Sequence, residues 1–571
     1  MSDVLASSLE QAREEVVSIG DSAVVAFNGR CSLTIDDCEG AHYSACHGTL
    51  PDPQCSQDDI YVTACANSTC GVLQDFSTSV VQIPAVYLNG TNSTGIVDYN
   101  VTDENVIETV CYTSDLDDAL LEASENVGST SGVSPVTTYY GSWNGVMRVF
   151  PGSGYNEECG DYDPRIRSWY AGASSGPSDV VIVVDISYSM EEEGRLDLAK
   201  SAVATVLETM DSFTFVNIVV FAGIARVLTS AIAGETLLSA TDENKQLLVD
   251  LLSEEDFASY TNYEAGLVKA FDVFDNSRNS TQSYSGCKAA IIFLSDGVPN
   301  LGEGDAAGLA QLVEDRNGDY DARLFTFALG PTADESILKS LSCQTRGIFQ
   351  AVEDGGDLEY AMASYYRYYT YGLSYSGGYT TNTGLYNLTE GSLGFSVSST
   401  SYDTDSSPPF FLGVAGMDFT AQSFLDEGYT LGEIEEVLDG EGGTCPFFNL
   451  TECEIEQFRA SISDISTCNV TNCVVTNSSI DPEPCMQGFP DNLWANVGGA
   501  GSSTYLDRQC CNNEDVCEAE AETDDSLIII IAVVICIILL CCLVCCFLWC
   551  RCFSERRSIA LEGPARRFAS A

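Results

Sequence analysis

The chain has 571 residues, enough for several domains, and sets 84 acidic side chains against 24 basic ones for a formal charge of -60. Such a chain repels phosphate backbones, which excludes nucleic acid as a partner class, and it gathers divalent cations at its surface. The two histidines, His42 and His47, flank Cys46, and no H-E-x-x-H, G-x-S-x-G or phosphate-loop pattern occurs, so no catalytic constellation is on offer.

Residues 1–22 read as an amphipathic N-terminal helix without the basic and apolar regions of a signal peptide, so an export signal is expected upstream of this start. Residues 23–172 alternate short strand-like runs, SAVVAFN and YYGSWNGVMRVF, with Cys-rich loops. From 178 to 352 the pattern is α/β. Apolar runs Val180–Val184 and Ala289–Leu294 predict fully buried parallel strands, Val216–Phe221 and Arg323–Leu329 further strands, and Leu196–Met210, Tyr263–Phe274 and Ala306–Val313 helices. Residues 355–430 return to strands, as in LGFSVSST and PFFLGVAGMDF. Residues 431–525 read as an irregular, Cys-rich, membrane-proximal stalk. Residues 526–550 carry no charge over 25 positions and are expected to span a membrane, with the Arg-rich tail 551–571 in the cytosol, a type I topology.

Cysteines place the large N-terminal part in an oxidising compartment. Eight lie between Cys31 and Cys159, two at Cys287 and Cys343, and eight between Cys445 and Cys517, even counts that predict disulfides closed within each segment. Sequons at Asn67, Asn89, Asn92, Asn100, Asn279, Asn387, Asn449, Asn469 and Asn477 share that part of the chain and predict a glycosylated, extracellular face at the plasma membrane.

The chemistry concentrates at the ends of the two buried strands. VVIVVDISYSM places Asp185, Ser187 and Ser189 at alternate positions after one strand, YTNYEAG supplies Thr261, and IIFLSDG supplies Asp296 after the other. Carboxylates and hydroxyls are hard oxygen ligands, suited to Mg²⁺ or Ca²⁺ and not to zinc or copper. This constellation resembles the metal-ion-dependent adhesion site of a von Willebrand factor A domain, a Rossmann-like α/β fold. The resemblance implies that Asp185, Ser187, Ser189 and Thr261 hold the ion directly or through water, that Asp296 acts through water, and that one coordination position stays open for a partner's acidic group.

A second resemblance flanks the first. YDPRIRSWY is similar to the end of the first half of an extracellular Cache domain, a PAS-like α/β fold, whose amino-acid pocket would map onto Tyr162, Arg167, Trp169, Tyr379 and Asp418, with Thr381 standing where that family carries an Asp. Arg suits a ligand carboxylate and the aromatic rings an ammonium. An A domain inserted between Cache halves resembles the alpha-2-delta auxiliary subunits of voltage-gated calcium channels and related membrane proteins carrying both domains. The implied function is non-enzymatic: partner binding through the metal, the partner being a channel pore subunit. Sensing of an amino-acid-like ligand through the Cache pocket, or adhesion to cells or matrix, are the alternatives.

Overall fold

The computed structural model describes residues 2–29, 79–82, 84, 104–151 and 163–446, apart from residues 281–282, 332, 334, 357, 363, 375–377, 389–390 and 405–408. The stalk beyond residue 446, the segment 526–550, the tail, Tyr162, both histidines and the sequons at Asn67, Asn89, Asn92, Asn100, Asn449, Asn469 and Asn477 lie outside the described residues. Among the described residues no helix is long and apolar enough to cross a membrane.

The first helix runs over Ser2–Gly29. Leu5, Leu9, Ala12, Val16, Ile19, Ala23 and Phe27 recur at three- and four-residue spacing and are all buried. SAVVAFN, expected as a strand, therefore continues the helix, because Ala23 and Phe27 extend the same apolar stripe. Strand β1 (Val80–Gln82) and the hairpin of β2 (Thr137–Ser142) and β3 (Met147–Phe150) follow, with the helix Asp117–Ser131 before the hairpin.

The central α/β unit contains β4 (Ser178–Asp185), β5 (Phe215–Phe221), β6 (Ala225–Val227), β7 (Leu238–Ser239), β8 (Lys288–Ser295), β9 (Arg323–Leu329) and β10 (Phe349–Val352). Their order is β10-β9-β8-β4-β5-β6. The first five are parallel neighbours, and β6 and β7 pair antiparallel with β5. Successive side chains face opposite layers: Val180, Ile182 and Val184 join one core, Val181 and Val183 the other. Both layers are helical, which is why the strands read as unbroken apolar runs. Arg195–Glu208 covers one face; Tyr263–Arg278, Ala306–Asn317 and Glu335–Gln344 cover the other. Each fully buried Val, Ile, Leu or Phe here stabilises by about 1.5–3 kcal/mol.

After the α/β unit the chain was expected to return directly to strands. It first forms helices Leu358–Met362 and Ser364–Ser374. Tyrosines suggest strand by propensity, yet Tyr365, Tyr368 and Tyr369 meet the single ring of Phe325 in β9, and only a helix can bring positions so spaced onto one ring. Strands β11 (Thr380–Asn382), β12 (Tyr386–Asn387), β13 (Leu393–Asp403) and β14 (Phe410–Thr420) then build a second, wholly antiparallel sheet, ordered β1-β3-β2-β14-β13-β11, with β12 also on β13. Its central pairing, Asp418 opposite Thr137 and Gly413 opposite Ser142, joins strands from either side of the α/β unit. The helix Ser2–Gly29 packs on one face, among Tyr140, Phe395, Val397 and Met417.

Two further expectations are corrected. The region after residue 430, read as irregular, opens with helix Leu431–Gly442, which Thr430 and Glu433 start as a capping box and which Ile434 and Leu438 anchor in the core. Disulfides do not all close within segments, because Cys287 is bonded to Cys445 across 158 residues.

Candidate metal centre

The centre lies where the parallel strands stop. β4 and β8 are neighbours, but the chain leaves β4 to build β5 on one side before returning to β8 on the other, which opens a crevice at their carboxyl ends. Asp185 closes β4 and is fully buried. Its Oδ1 accepts the Ser187 N–H at 2.8 Å, an Asx-type turn that folds the chain back on itself. The hydroxyl oxygens of Ser187 and Ser189 then lie 3.0 Å apart, and Ser189 Oγ donates to Asp296 Oδ1 at 2.7 Å.

Thr261 arrives on a separate loop. Its N–H donates to Asn300 Oδ1 at 3.0 Å, and its carbonyl accepts the N–H groups of Asn300 and Leu301 at 2.9 and 3.2 Å. A Cβ added at Gly297 would sit 3.4 Å from the hydroxyl oxygens of both Ser189 and Thr261, so the two share one small space that glycine leaves clear. The structure thus brings together Asp185, Ser187, Ser189, Thr261 and Asp296 from three loops.

Residues not singled out in the sequence brace this cluster. Ser295 Oγ donates to Asp185 Oδ2 at 2.5 Å, and Tyr263 lies 3.0 Å from the same Oγ while donating to the Gly297 carbonyl at 2.8 Å. Arg195 is buried; its Nη1 donates to Asp296 Oδ2 at 2.9 Å, and its Nε and Nη2 grip Asp354 at 2.6 and 2.9 Å. Gly330 makes room for that guanidinium: its φ is +70°, and a Cβ there would come within 2.5 Å of Arg195. An arginine six positions after Ser189 was the only signal available in the sequence, and it is a weak one.

Electrostatics favour a cation. Burial pushes the Asp185 carboxyl up to about 7, opposed by hydrogen bonds from Ser295 and Ser187. Burial also raises Asp296, opposed by Ser189 and Arg195. Two carboxylates whose charge is disfavoured by burial, with three hydroxyls around the same space, form an all-oxygen donor set that fits a hard divalent ion. Among the described residues no group of three or more His, Cys, Asp or Glu side chains offers a softer alternative.

The residues of the second resemblance disperse more. Trp169 is buried and packs on Tyr139 with ring centroids 4.5 Å apart. Tyr139 in turn donates to Asp418 Oδ1 at 2.6 Å, beside Ser396 Oγ, also at 2.6 Å. Tyr139, which the sequence did not flag, thus links Trp169 to Asp418. Arg167 is half-buried at the start of helix Ser168–Ser175. Tyr379 lies alongside Thr400, four positions along β13 from the Ser396 that faces Asp418, and gives its hydroxyl to the Thr444 carbonyl at 2.7 Å. Thr381 donates to the Gly442 carbonyl at 3.2 Å. Asn279 and Asn387 are exposed.

Residues 180–298 match the von Willebrand factor type A domain family, and a domain of that class occupies the middle of this chain. The chain is similar to "Voltage-dependent calcium channel subunit alpha-2/delta-3" of Homo sapiens, 28% identical over 236 residues, which is 41% of this chain and 21% of that protein. It is also similar to "Voltage-dependent calcium channel subunit alpha-2/delta-4" of Homo sapiens, 27% identical over 232 residues, 40% of this chain and 20% of that one. The match therefore spans only about a fifth of the length of these relatives. Among solved structures, a von Willebrand factor type A protein from Catenulispora acidiphila aligns over 42% of this chain and 57% of its own at 16% identity. Its TM-score is 0.29.

Proposed function

We propose that this chain is a cell-surface subunit that binds Mg²⁺ or Ca²⁺ through Asp185, Ser187, Ser189 and Thr261, with Asp296 acting through water, and offers the ion's open position to a carboxylate of a membrane protein. The partner proposed is the pore subunit of a voltage-gated calcium channel, on the strength of the alpha-2/delta relatives. One observation carries the reading: three hydroxyls and two buried carboxylates meet at the carboxyl ends of β4 and β8. When bound, the ion supplies Lewis acidity toward a hard oxygen donor. The chain's own residues do the rest: Arg195 fixes Asp296, Ser295 fixes Asp185, and the Asn300 contacts hold Thr261 in place. No bond is made or broken, so the reading is non-enzymatic. Segment 526–550 would anchor the chain with its bulk outside the cell, and the flanking antiparallel sheet is proposed to be the divided Cache domain. The test is co-purification of the full chain with channel pore subunits in Mg²⁺, in chelator, and with Asp185→Ala. Association lost in both of the latter is expected; association indifferent to both refutes the reading.

A second reading, binding of an amino-acid-like ligand on the antiparallel sheet, is favoured by one feature. Ser398 is buried without a hydrogen-bond partner for its hydroxyl, and it shares a sheet face with Ser396, Asp418 and Tyr139. Calorimetric titration of the twenty amino acids into the full chain tests it, and absence of heat from all of them refutes it.

A further inference from the structure

Around the metal cluster the surface turns apolar where solvent would favour polar groups. Tyr188, Ile224, Tyr260, Val298 and Leu301 are 61, 79, 63, 54 and 43% exposed. They sit on loops tied to one another and to the cluster. Gly223 N–H donates to the Ser259 carbonyl at 3.0 Å, and a Cβ at Gly223 would lie 3.5 Å from the Tyr260 side chain, which puts Ile224 beside Tyr260. The Leu301 N–H reaches the Thr261 carbonyl, and Tyr188 stacks with Phe257, whose neighbour Ala258 bridges to Ser187.

Tyr260 is the informative member. Its φ is +73°, a left-handed conformation that costs a non-glycine residue on the order of 1–3 kcal/mol. The residues on either side are pinned by other loops, Ser259 by Gly223 and Thr261 by Asn300. The fold therefore forces the turn and turns an aromatic ring toward water next to the cluster. With 63% of the residue in water, packing gains little from such a ring. Tyrosine is, however, a favoured anchor in interfaces, giving large contact area for little loss of side-chain freedom.

Charge narrows the occupant. Glu191, Glu192, Glu193, Asp256, Glu303 and Asp305 are exposed on these same loops. The nearby arginines are engaged, Arg226 with Glu255 and Arg195 with Asp296 and Asp354. Outside the oxygen cluster the rim is acidic, so basic residues in a partner are attracted and acidic flanks repelled.

We infer that this rim selects its partner: a protein loop that presents one carboxylate to the ion, flanked by apolar or aromatic side chains that cover Tyr260 and Ile224, and by Lys or Arg that meet the acidic margin. This rests on the metal reading above and names the partner class for the same site. A displayed library of disulfide-closed loops with a fixed central Asp and random flanks, panned on the full chain in Mg²⁺ and eluted with chelator, tests it. Enrichment of aromatic or aliphatic residues with Lys or Arg is expected. Tyr260→Gly should then bind the selected loops at least tenfold more weakly, with Mg²⁺ affinity unchanged and thermal stability equal to or above native, because glycine relieves the strain. Ile224→Ser should weaken binding in the same way. Random or acidic flanks, or undiminished binding by Tyr260→Gly, overturn the inference while chelator-sensitive capture leaves the metal reading standing. Capture that ignores chelator overturns both.

Discussion

Arg195→Met removes the cation that two carboxylates share, Asp296 in the interior and Asp354 at the surface. The Asp354 side chain lies at the surface, so water replaces most of what that partner supplies and little is lost there. Asp296 is fully buried and would lose the guanidinium that offsets its burial, leaving it either charged without that cation or protonated; breaking a buried pair in this way typically costs about 3–5 kcal/mol. A shift in midpoint on the order of 10 °C follows for a unit of this kind. A divalent ion at the neighbouring oxygens compensates the same charge, so saturating Mg²⁺ should recover part of the loss. Differential scanning fluorimetry of wild type and variant, each in EDTA and in Mg²⁺, reads both quantities. A destabilisation equal in the two conditions, or below about 1 kcal/mol in EDTA, refutes the reasoning that Asp296 lies within the field of a bound ion.

Phe27→Ala should destabilise by about 3–5 kcal/mol in urea titration, because its ring is fully buried against Tyr112 and Phe410 at centroid distances of 5.6 Å. Asp211 gives a pH dependence. Burial pushes its carboxyl up to about 6, so the folded chain binds its proton more tightly than the unfolded chain does, and this group's contribution to stability falls as pH rises from about 4 through 6. Asp211→Asn should flatten that stretch of the stability profile by about 3 kcal/mol; an unchanged profile counts against the assignment. Gly330→Ala should destabilise and weaken Mg²⁺ binding together, since a methyl there displaces Arg195; loss of stability with native Mg²⁺ affinity would separate the brace from the site.

The α/β unit was legible because strands covered on both faces have to be apolar at every position, and β4 and β8 carry that mark without interruption. The five oxygen donors were legible for a related reason: they directly follow those strands or precede a helix. What holds them was not. Arg195 and Asp354 are 159 residues apart, and nothing local in either segment announces the pair. Tyr260 looks ordinary until its backbone angle is seen. Helix Ser364–Ser374 was hidden by the strand propensity of its tyrosines, and the reach of helix Ser2–Gly29 by a Val-Val pair that suggested a strand. The bond between Cys287 and Cys445 shows the limit of counting cysteines, since even numbers in each segment are compatible with any exchange of partners between segments.

Calorimetric titration of Mg²⁺ into the purified full chain, beside Asp185→Ala and Thr261→Ala, measures the central claim most directly. The account predicts one saturable site in the native chain that is absent from Asp185→Ala and weakened in Thr261→Ala, above a common background from the acidic surface. Identical isotherms for all three chains would contradict it.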